Sequence, residues 1–476
     1  MKVLKIFLSF SIGTWIGAII GVITIPLLTH FFSPADFGKA SMFALALNMM
    51  MLFTLFGIDQ AFIRFFYEEE TDKLLSKCLI LTSGVYLVIN AFLFLFRREI
   101  SIYLFDEYVP EMILLLGLTT IINVLNSYAV SIVRMEQKGF LYSMIQIGLR
   151  LFELVFIVLF LLFMKKDYTI MVYAKSVTLL VVTLYAMFIT KKTWAGVGFN
   201  HKDSKHSLSE IFYFSYPLAI TNVIAWALQS IDKLALKEAA TITDLGIYTA
   251  AFRIVLVLQI VQTSFTTYWI PLSYERFHKY GEEETNKTFF SKVSQGATLV
   301  MLSGGVLLIM CKGMFGWIVG KQFQAGVSLI PFLVFMPVMY TLTETTTIGL
   351  NFYKKVKVIM VISLITLLVA VAGNYLLVPI YKGKGAAISI AVSSILFFIL
   401  RTQFSIKYFA VDYKLSKVYM LLALMFGYAW YSTFFDWNIF NTIIGVGLLG
   451  LIVIFYFKNI LHDLKPLIFK SQAPEK

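Results

Sequence analysis

Charge is scarce in this chain of 476 residues: Asp, Glu, Lys and Arg together make up 14%, against roughly a quarter in an ordinary soluble domain. Such a surface cannot hold a protein of this size in water, because 59% of its residues are hydrophobic and mean hydropathy is +0.82. A cytosolic enzyme, a disordered scaffold and a secreted module are excluded together. Cysteine is scarcer still. Cys78 and Cys311 are the only two, too few for a disulfide framework. The five histidines are scattered, no H-E-x-x-H occurs, and no metal site is expected. The phosphate-cradling G-x-x-x-x-G-K-[ST] is missing as well; Gly316-Trp317-Ile318-Val319-Gly320-Lys321-Gln322 is one residue short and ends in the wrong residue type. No long loop carries a set of acidic residues of the kind a membrane polymerase or glycosyltransferase needs, so no enzyme is expected.

What the chain has instead is long apolar runs. About 20 apolar residues cross a bilayer as a helix. Fourteen such runs fall at about 6–29, 40–63, 78–96, 111–133, 140–163, 168–190, 211–234, 245–270, 289–311, 327–350, 357–379, 385–407, 416–435 and 438–457. The split at Asp436-Trp437-Asn438 and the polar stretch Thr341–Thr347 are the weakest points, and twelve spans is the fallback. The fold class expected is therefore an all-α polytopic membrane protein. The first run is too long for a signal-peptide core and lacks a small-residue cleavage site, so it is expected to be retained. With the N-terminus inside, cytoplasmic loops collect more than twice as many of the 40 Lys/Arg as outer loops, which places both termini in the cytoplasm. The net charge of +13 is thus mostly a topology signal, with no nucleic acid implied.

The chain repeats itself. Ser33-Pro34-Ala35-Asp36-Phe37-Gly38 follows the first span and Thr241-Ile242-Thr243-Asp244-Leu245-Gly246 follows the seventh, both reading [ST]-x-x-D-[FL]-G. Glu68-Glu69-Glu70-Thr71-Asp72-Lys73 and Glu282-Glu283-Glu284-Thr285-Asn286-Lys287 follow the second and eighth, ahead of Ser76-Lys77 and Ser291-Lys292. Phe10-Ser11 matches Phe214-Ser215. Matches in one order at a nearly constant offset define two six-helix halves. Six is even, so both halves enter from one side and the repeat is parallel. The expected parts are an N-lobe over 1–192, a cytoplasmic linker over 193–210, a C-lobe over 211–410, and a helix pair with a tail over 411–476. Two similar bundles that rock about a cavity give alternating access.

Ionisable groups at membrane depth are costly and mark functional positions. Arg150 and Glu153 share a face of the fifth span, as an internal ion pair or as cavity lining. Arg253 in the eighth span and Lys175 in the sixth either line a cavity or snorkel to the surface. Asp59 stands near the inner end of the second span, as an end-of-helix charge or an ion-coupling group. Glu344 lies deeper, within Thr341-Leu342-Thr343-Glu344-Thr345-Thr346-Thr347, a run that should face protein or water. It is the best position for binding a proton or cation. Gly13, Gly17 and Gly21 form a small-xxx-small ridge for a close helix neighbour. Pro217, Pro331 and Pro337 mark kinks in the seventh and tenth spans.

Several of these segments resemble the polysaccharide-transporter (Wzx-type flippase) branch of the multidrug/oligosaccharidyl-lipid/polysaccharide (MOP) exporter superfamily. They are Ile25-Pro26-Leu27-Leu28-Thr29 through Gly38, Ile231-Asp232-Lys233, Asp244-Leu245-Gly246-Ile247-Tyr248 to Arg253, Gly57 through Arg64-Phe65-Phe66, and Gly383-Lys384-Gly385-Ala386-Ala387. The resemblance covers spans one to twelve. It implies a prokaryotic inner-membrane flippase for undecaprenyl-diphosphate-linked oligosaccharide, coupled to an ion gradient of H+ or Na+ with no other cofactor. Arg150 and Arg253, with Lys175, would then hold the diphosphate, and Glu153, Glu344 and Asp59 would serve ion coupling or ion pairing. The implied partners are the lipid-linked substrate, membrane lipids, and the polymerase and glycosyltransferases of the same route. The alternatives are a cation-coupled small-molecule (multidrug) antiporter using Asp59 and Glu344, and, more distantly, a membrane polymerase.

Overall fold

The structure, a computed structural model, describes residues 2–198 and 205–469. The expected linker residue His201 lies outside them. Among the described residues every regular element is a helix. Among the described residues eleven helices are long and apolar enough to cross a membrane, or twelve if one pair bent by 49° is counted as a single span. The all-α, multi-pass class therefore holds, while the expected count of fourteen is not reached by this measure.

The helices group into two compact units, Met1–Ser230 and Ile231–Lys476. The first contains α1 (Lys2–Phe31), α2 (Pro34–Leu55), α3 (Ile58–Phe65), α4 (Thr71–Leu95), α5 (Arg97–Phe105), α6 (Pro110–Met135), α7 (Gly139–Phe163), α8 (Tyr168–Ile189), α9 (Lys191–Ala195) and the first part of α10 (Leu208–Ala239). The second continues with α11 (Ile242–Tyr280), α12 (Glu284–Met310), α13 (Lys312–Ile318), α14 (Gln324–Val327), α15 (Ile330–Leu333), α16 (Phe335–Thr346), α17 (Ile348–Phe352), α18 (Val356–Tyr381), α19 (Gly383–Tyr408), α20 (Leu415–Phe434) and α21 (Ile439–Phe469). The dividing line falls inside α10. Phe212 stacks on Phe56 at 5.7 Å and Phe214 leans on Phe65 at 5.5 Å, which ties the start of α10 to the first unit.

The repeated motif has a clear physical task. A helix leaves its first four N–H groups without intrahelical partners. Ser33 caps α2 by accepting from Asp36 N at 3.2 Å, and Asp36 Oδ2 accepts from Ser33 N at 3.2 Å, a reciprocal capping box. Thr241 caps α11 in the same way, accepting from Asp244 N at 3.1 Å. Each aspartate then reaches the start of its half's sixth helix. Asp36 Oδ1 accepts from Tyr168 N at 3.0 Å, and Asp244 Oδ2 pairs with Lys382 Nζ at 3.3 Å. The second motif behaves alike. Ser76 Oγ accepts from Gly198 N at 3.2 Å, and Ser291 donates to the Asp412 carbonyl, so each serine holds the strand of chain that leaves the sixth helix.

Lipid offers no hydrophobic drive between helices, so close packing and hydrogen bonds must supply it. Gly13 serves that need: its N–H donates to Ser143 Oγ of α7 at 3.0 Å. Gly17 lies against the stem of Arg150, whereas a side chain at Gly21 would meet nothing within 4 Å. The ridge thus works along two of its three positions. The second span is broken at Phe56 and Gly57, both with positive φ (+46° and +77°). Gly57 is also obligatory in space, since a Cβ there would come within 2.6 Å of Ser215 O. In the tenth span the bend lies between Lys321–Val327 and Ile330–Thr346, next to Pro331; α10 runs on through Pro217 without a break. Each unit has a buried apolar cluster, with Phe62, Leu74, Tyr128 and Ile211 in the first and Trp269, Phe290, Phe409 and Tyr413 in the second.

Candidate functional site

Within the first unit, Arg150 and Glu153 stand one turn apart on α7, with Nη1 and Oε2 separated by 3.9 Å. The pair is loose, and the arginine side chain is 60% exposed while the glutamate is 27% exposed. Arg150 is therefore not sealed in the unit's interior. Its stem is steadied from one side, because Gly17 leaves room for Cγ where a Cβ would stand 3.1 Å away. Lys175, on α8, is half-buried. Asp59 opens α3, half-buried, and accepts from Gln60 Nε2 at 2.9 Å, with Arg134 the nearest influential cation. A carboxylate in the first turn of a helix is favourable in itself.

In the second unit Arg253 is half-buried on α11. Glu344, on α16, is half-buried as well, and its charge faces Arg401 of α19 and the ring of Tyr340 one turn away. The backbone carbonyl of Glu344 accepts from Trp269 Nε1 of α11 at 2.9 Å. Arg401 lies over the Phe397 ring, 4.3 Å from its centroid, and its Nε has no hydrogen-bond partner. A fourth basic residue stands within the body of a long helix, in addition to Arg150, Lys175 and Arg253. Arg401 belongs with them, since α19 continues for two turns beyond it.

The threonine run around Glu344 faces protein, as expected. Thr341, Thr343, Thr345, Thr346 and Thr347 are all buried. Thr341 and Thr343 donate to carbonyls four residues back, a local bond that bends helices. Thr345 reaches Ser294 of α12 at 3.1 Å and Thr346 meets Thr402 of α19 at 2.6 Å. Glu344 is thus held on a short, bent helix by hydroxyl contacts to two neighbours.

One further carboxylate escaped the sequence reading. Asp232, on α10, is 2% exposed; one oxygen accepts from the Tyr248 hydroxyl of α11, and the other has no partner. A buried carboxylate oxygen without a donor is costly. The only signal was the segment Ile231-Asp232-Lys233, which spoke for family and not for burial. No cluster of His, Cys, Asp and Glu suited to a metal occurs among the described residues.

Residues 3–277 match the model of a family described as polysaccharide biosynthesis protein. A Haemophilus influenzae protein of the Lsg locus is 22% identical over 379 residues, which cover 78% of this chain and 90% of that protein. Among solved structures, the lipid II flippase MurJ in an inward closed conformation superposes with a TM-score of 0.69 at 18% identity, covering 96% of this chain and 99% of that one. An outward-facing multidrug transporter of the MATE family gives 0.56 at 15% identity, over 89% of this chain and 96% of that one. A MOP-superfamily transporter from Pyrococcus furiosus gives 0.55 at 16% identity, with coverage of 88% and 96%. The family model spans more than half of the sequence, and the fold is that of the MOP superfamily throughout. The chain belongs to the polysaccharide biosynthesis protein family.

Proposed function

We propose that this protein is a flippase that moves undecaprenyl-diphosphate-linked oligosaccharide from the cytoplasmic to the outer leaflet of the inner membrane. It acts by alternating access, with both termini cytoplasmic, and draws on an ion gradient. The observation that carries this reading is the family match combined with the extent of the MurJ likeness, which takes in 96% of the chain. The MATE likeness extends over 89%, and this favours a lipid-linked substrate over a small-molecule antiporter.

The diphosphate of such a substrate calls for guanidinium forks in a dry setting. Arg150 and Arg253 are the assigned donors, with Lys175 in support. Glu153 modulates Arg150 across 3.9 Å. Proton or Na+ coupling falls to Glu344 or Asp59, and the cation facing Glu344 is Arg401. The remaining partners are a polymerase and glycosyltransferases, which use and supply the lipid-linked unit; transport, not catalysis, is this chain's own task.

The test is genetic and chemical. A deletion strain should accumulate lipid-linked repeat units inside the cell and lose surface polysaccharide. Arg150→Ala and Arg253→Ala, at equal protein level, should reduce export at least tenfold. Normal export by both variants removes the diphosphate assignment, and a deletion strain with no accumulation removes the flippase reading.

A further inference from the structure

A cavity of about 460 Å³ opens at the end of the second unit where α18 passes into α19 and α20 into α21. Its size falls in the range of small-ligand sites. Its lining combines lysines and aromatic rings with the carboxylates of Asp244 and Asp436. Lys382 and Lys384 stand on one wall, and Tyr381, Phe434 and Trp437 present rings on the others. The ammonium of Lys384 lies 5.0 Å from the centroid of Phe434, and no carboxylate pairs with it among the described residues. Lys382 is 60% exposed on its side chain although it pairs with Asp244 at 3.3 Å. Trp437 and Tyr381 are 51% and 42% exposed; the Trp437 ring lies against Gly313 and its Nε1 donates to the Met310 carbonyl at 3.1 Å.

Two features indicate that this wall is held in place and is not a chance gap. Lys382 adopts φ +49° and ψ −125°, a backbone region that glycine enters freely and other residues enter under strain. A lysine occupies it here, although glycine follows at once in Gly383. On the opposite wall Lys312 is 4% exposed and donates to the carbonyls of Ser432 and Phe435. It pins the turn that carries Phe434 and Trp437.

We propose that this cavity is a binding site for an acidic saccharide, a short stretch of sugar bearing carboxylate groups. Ammonium groups without full compensation take the carboxylate, and exposed aromatic faces take the apolar face of a pyranose ring. A bare inorganic anion has no use for the rings, and a neutral sugar has no use for the lysines. The site rests on the proposed function in one respect: with the termini cytoplasmic, the cavity faces the outer side, where the sugar arrives after flipping.

The test uses purified full-length protein in neutral-lipid nanodiscs. The probe is a hyaluronan tetrasaccharide, with maltotetraose as the neutral comparator and short-chain phosphatidylglycerol as the lipid arm. The acidic tetrasaccharide should bind at least tenfold more tightly than maltotetraose, and salt should weaken it. Lys384→Gln and Lys382→Gln should each weaken it about tenfold, and Trp437→Ala should weaken it without changing the salt dependence. Equal binding of the two sugars overturns the proposal, as does acidic-sugar binding that both lysine variants leave intact. Binding of phosphatidylglycerol alone identifies a lipid-headgroup site and overturns it too. The flippase reading is scored separately by lipid-linked units in the deletion strain, so either can fall while the other stands.

Discussion

Replacing Gly13 by alanine should loosen the first unit, whereas the same change at Gly21, further along α1, should not. A Cβ at position 13 would stand 2.4 Å from Ser143 Cα and 2.7 Å from Ser143 O. Carbon atoms in ordinary contact are about 3.5–4.0 Å apart, and the obstructing atoms are backbone, which no change of rotamer relieves. α1 and α7 must move apart, at a cost of about 1–3 kcal/mol for overpacking. The separation also stretches the 3.0 Å bond from Gly13 N–H to Ser143 Oγ, worth about 0.5–1.5 kcal/mol. Alanine returns about 0.5–1 kcal/mol of backbone entropy in a helix, which leaves a net loss of about 0.5–4 kcal/mol. At Gly21 only the gain remains, since nothing lies within 4 Å. Gly17 falls between, because its obstacle is the flexible Arg150 stem at 3.1 Å. Thermal unfolding of the purified chain in detergent should rank Gly21→Ala at or above the native protein, then Gly17→Ala, then Gly13→Ala. Indistinguishable midpoints for Gly13→Ala and Gly21→Ala would refute the close-approach argument.

Asp36→Ala should cost about 2–4 kcal/mol, through the lost cap and the freed Tyr168 N–H. Asp244→Ala should cost less, because its partner Lys382 is 60% exposed and exposed ion pairs contribute little; a larger loss at Asp244 contradicts this. Burial holds Lys312 down to about 8 from 10.5. Below pH 8 it is charged in folded and unfolded chains alike, and between 8 and 10.5 the unfolded chain binds the proton more tightly. Stability therefore rises with pH across that window, by about 3 kcal/mol at most, and Lys312→Met should flatten the rise in unfolding midpoints measured from pH 7.5 to 10. Glu344→Gln removes the charge that acts on Arg401 and should lower the unfolding midpoint. Glu344→Gln combined with Arg401→Gln should recover part of that loss, and strictly additive midpoints would show that the two charges are not coupled.

The local signals in the sequence carried over well because each had a local cause. Ser33-x-x-Asp36 and Thr241-x-x-Asp244 are caps in both halves, and a cap needs only residues within one turn. Thr341–Thr347 had to turn away from lipid, and did so. The misses share a different origin. Arg401 and Glu344 are 57 positions apart in the sequence, and their facing arrangement comes from the packing of α16 on α19. The sequence left Arg150 as an internal ion pair or as cavity lining, and its 60% exposed side chain is a degree of exposure that position in the chain does not give. Asp232 sits near the end of an apolar run, where an end-of-helix charge is the ordinary reading, and only the fold brings Tyr248 onto it. Helix existence and junctions follow from neighbours in sequence; which charges meet is decided by tertiary packing.

The two halves also diverge at the one place where their shared motif makes its longest reach. In the first unit Asp36 bonds the backbone of the sixth helix itself, at Tyr168 N. The carboxylate and the helix start are then in direct contact, with no room between them. In the second unit a lysine side chain stands between Asp244 and the start of α19, so carboxylate and helix are separated by the length of that side chain. The space so created is part of the cavity, which Asp244, Lys382 and Gly383 all line. The lysine backbone at the same position has φ +49°, a conformation that the surrounding structure must hold. The two units thus share a capping aspartate and differ in what it reaches, a backbone N–H in one and a lysine side chain in the other. By this logic the cavity in the second unit depends on the length of Lys382 more than on its charge. Lys382→Asn should bring α11 and α19 closer and close the cavity, whereas Lys382→Gln should keep more of it open.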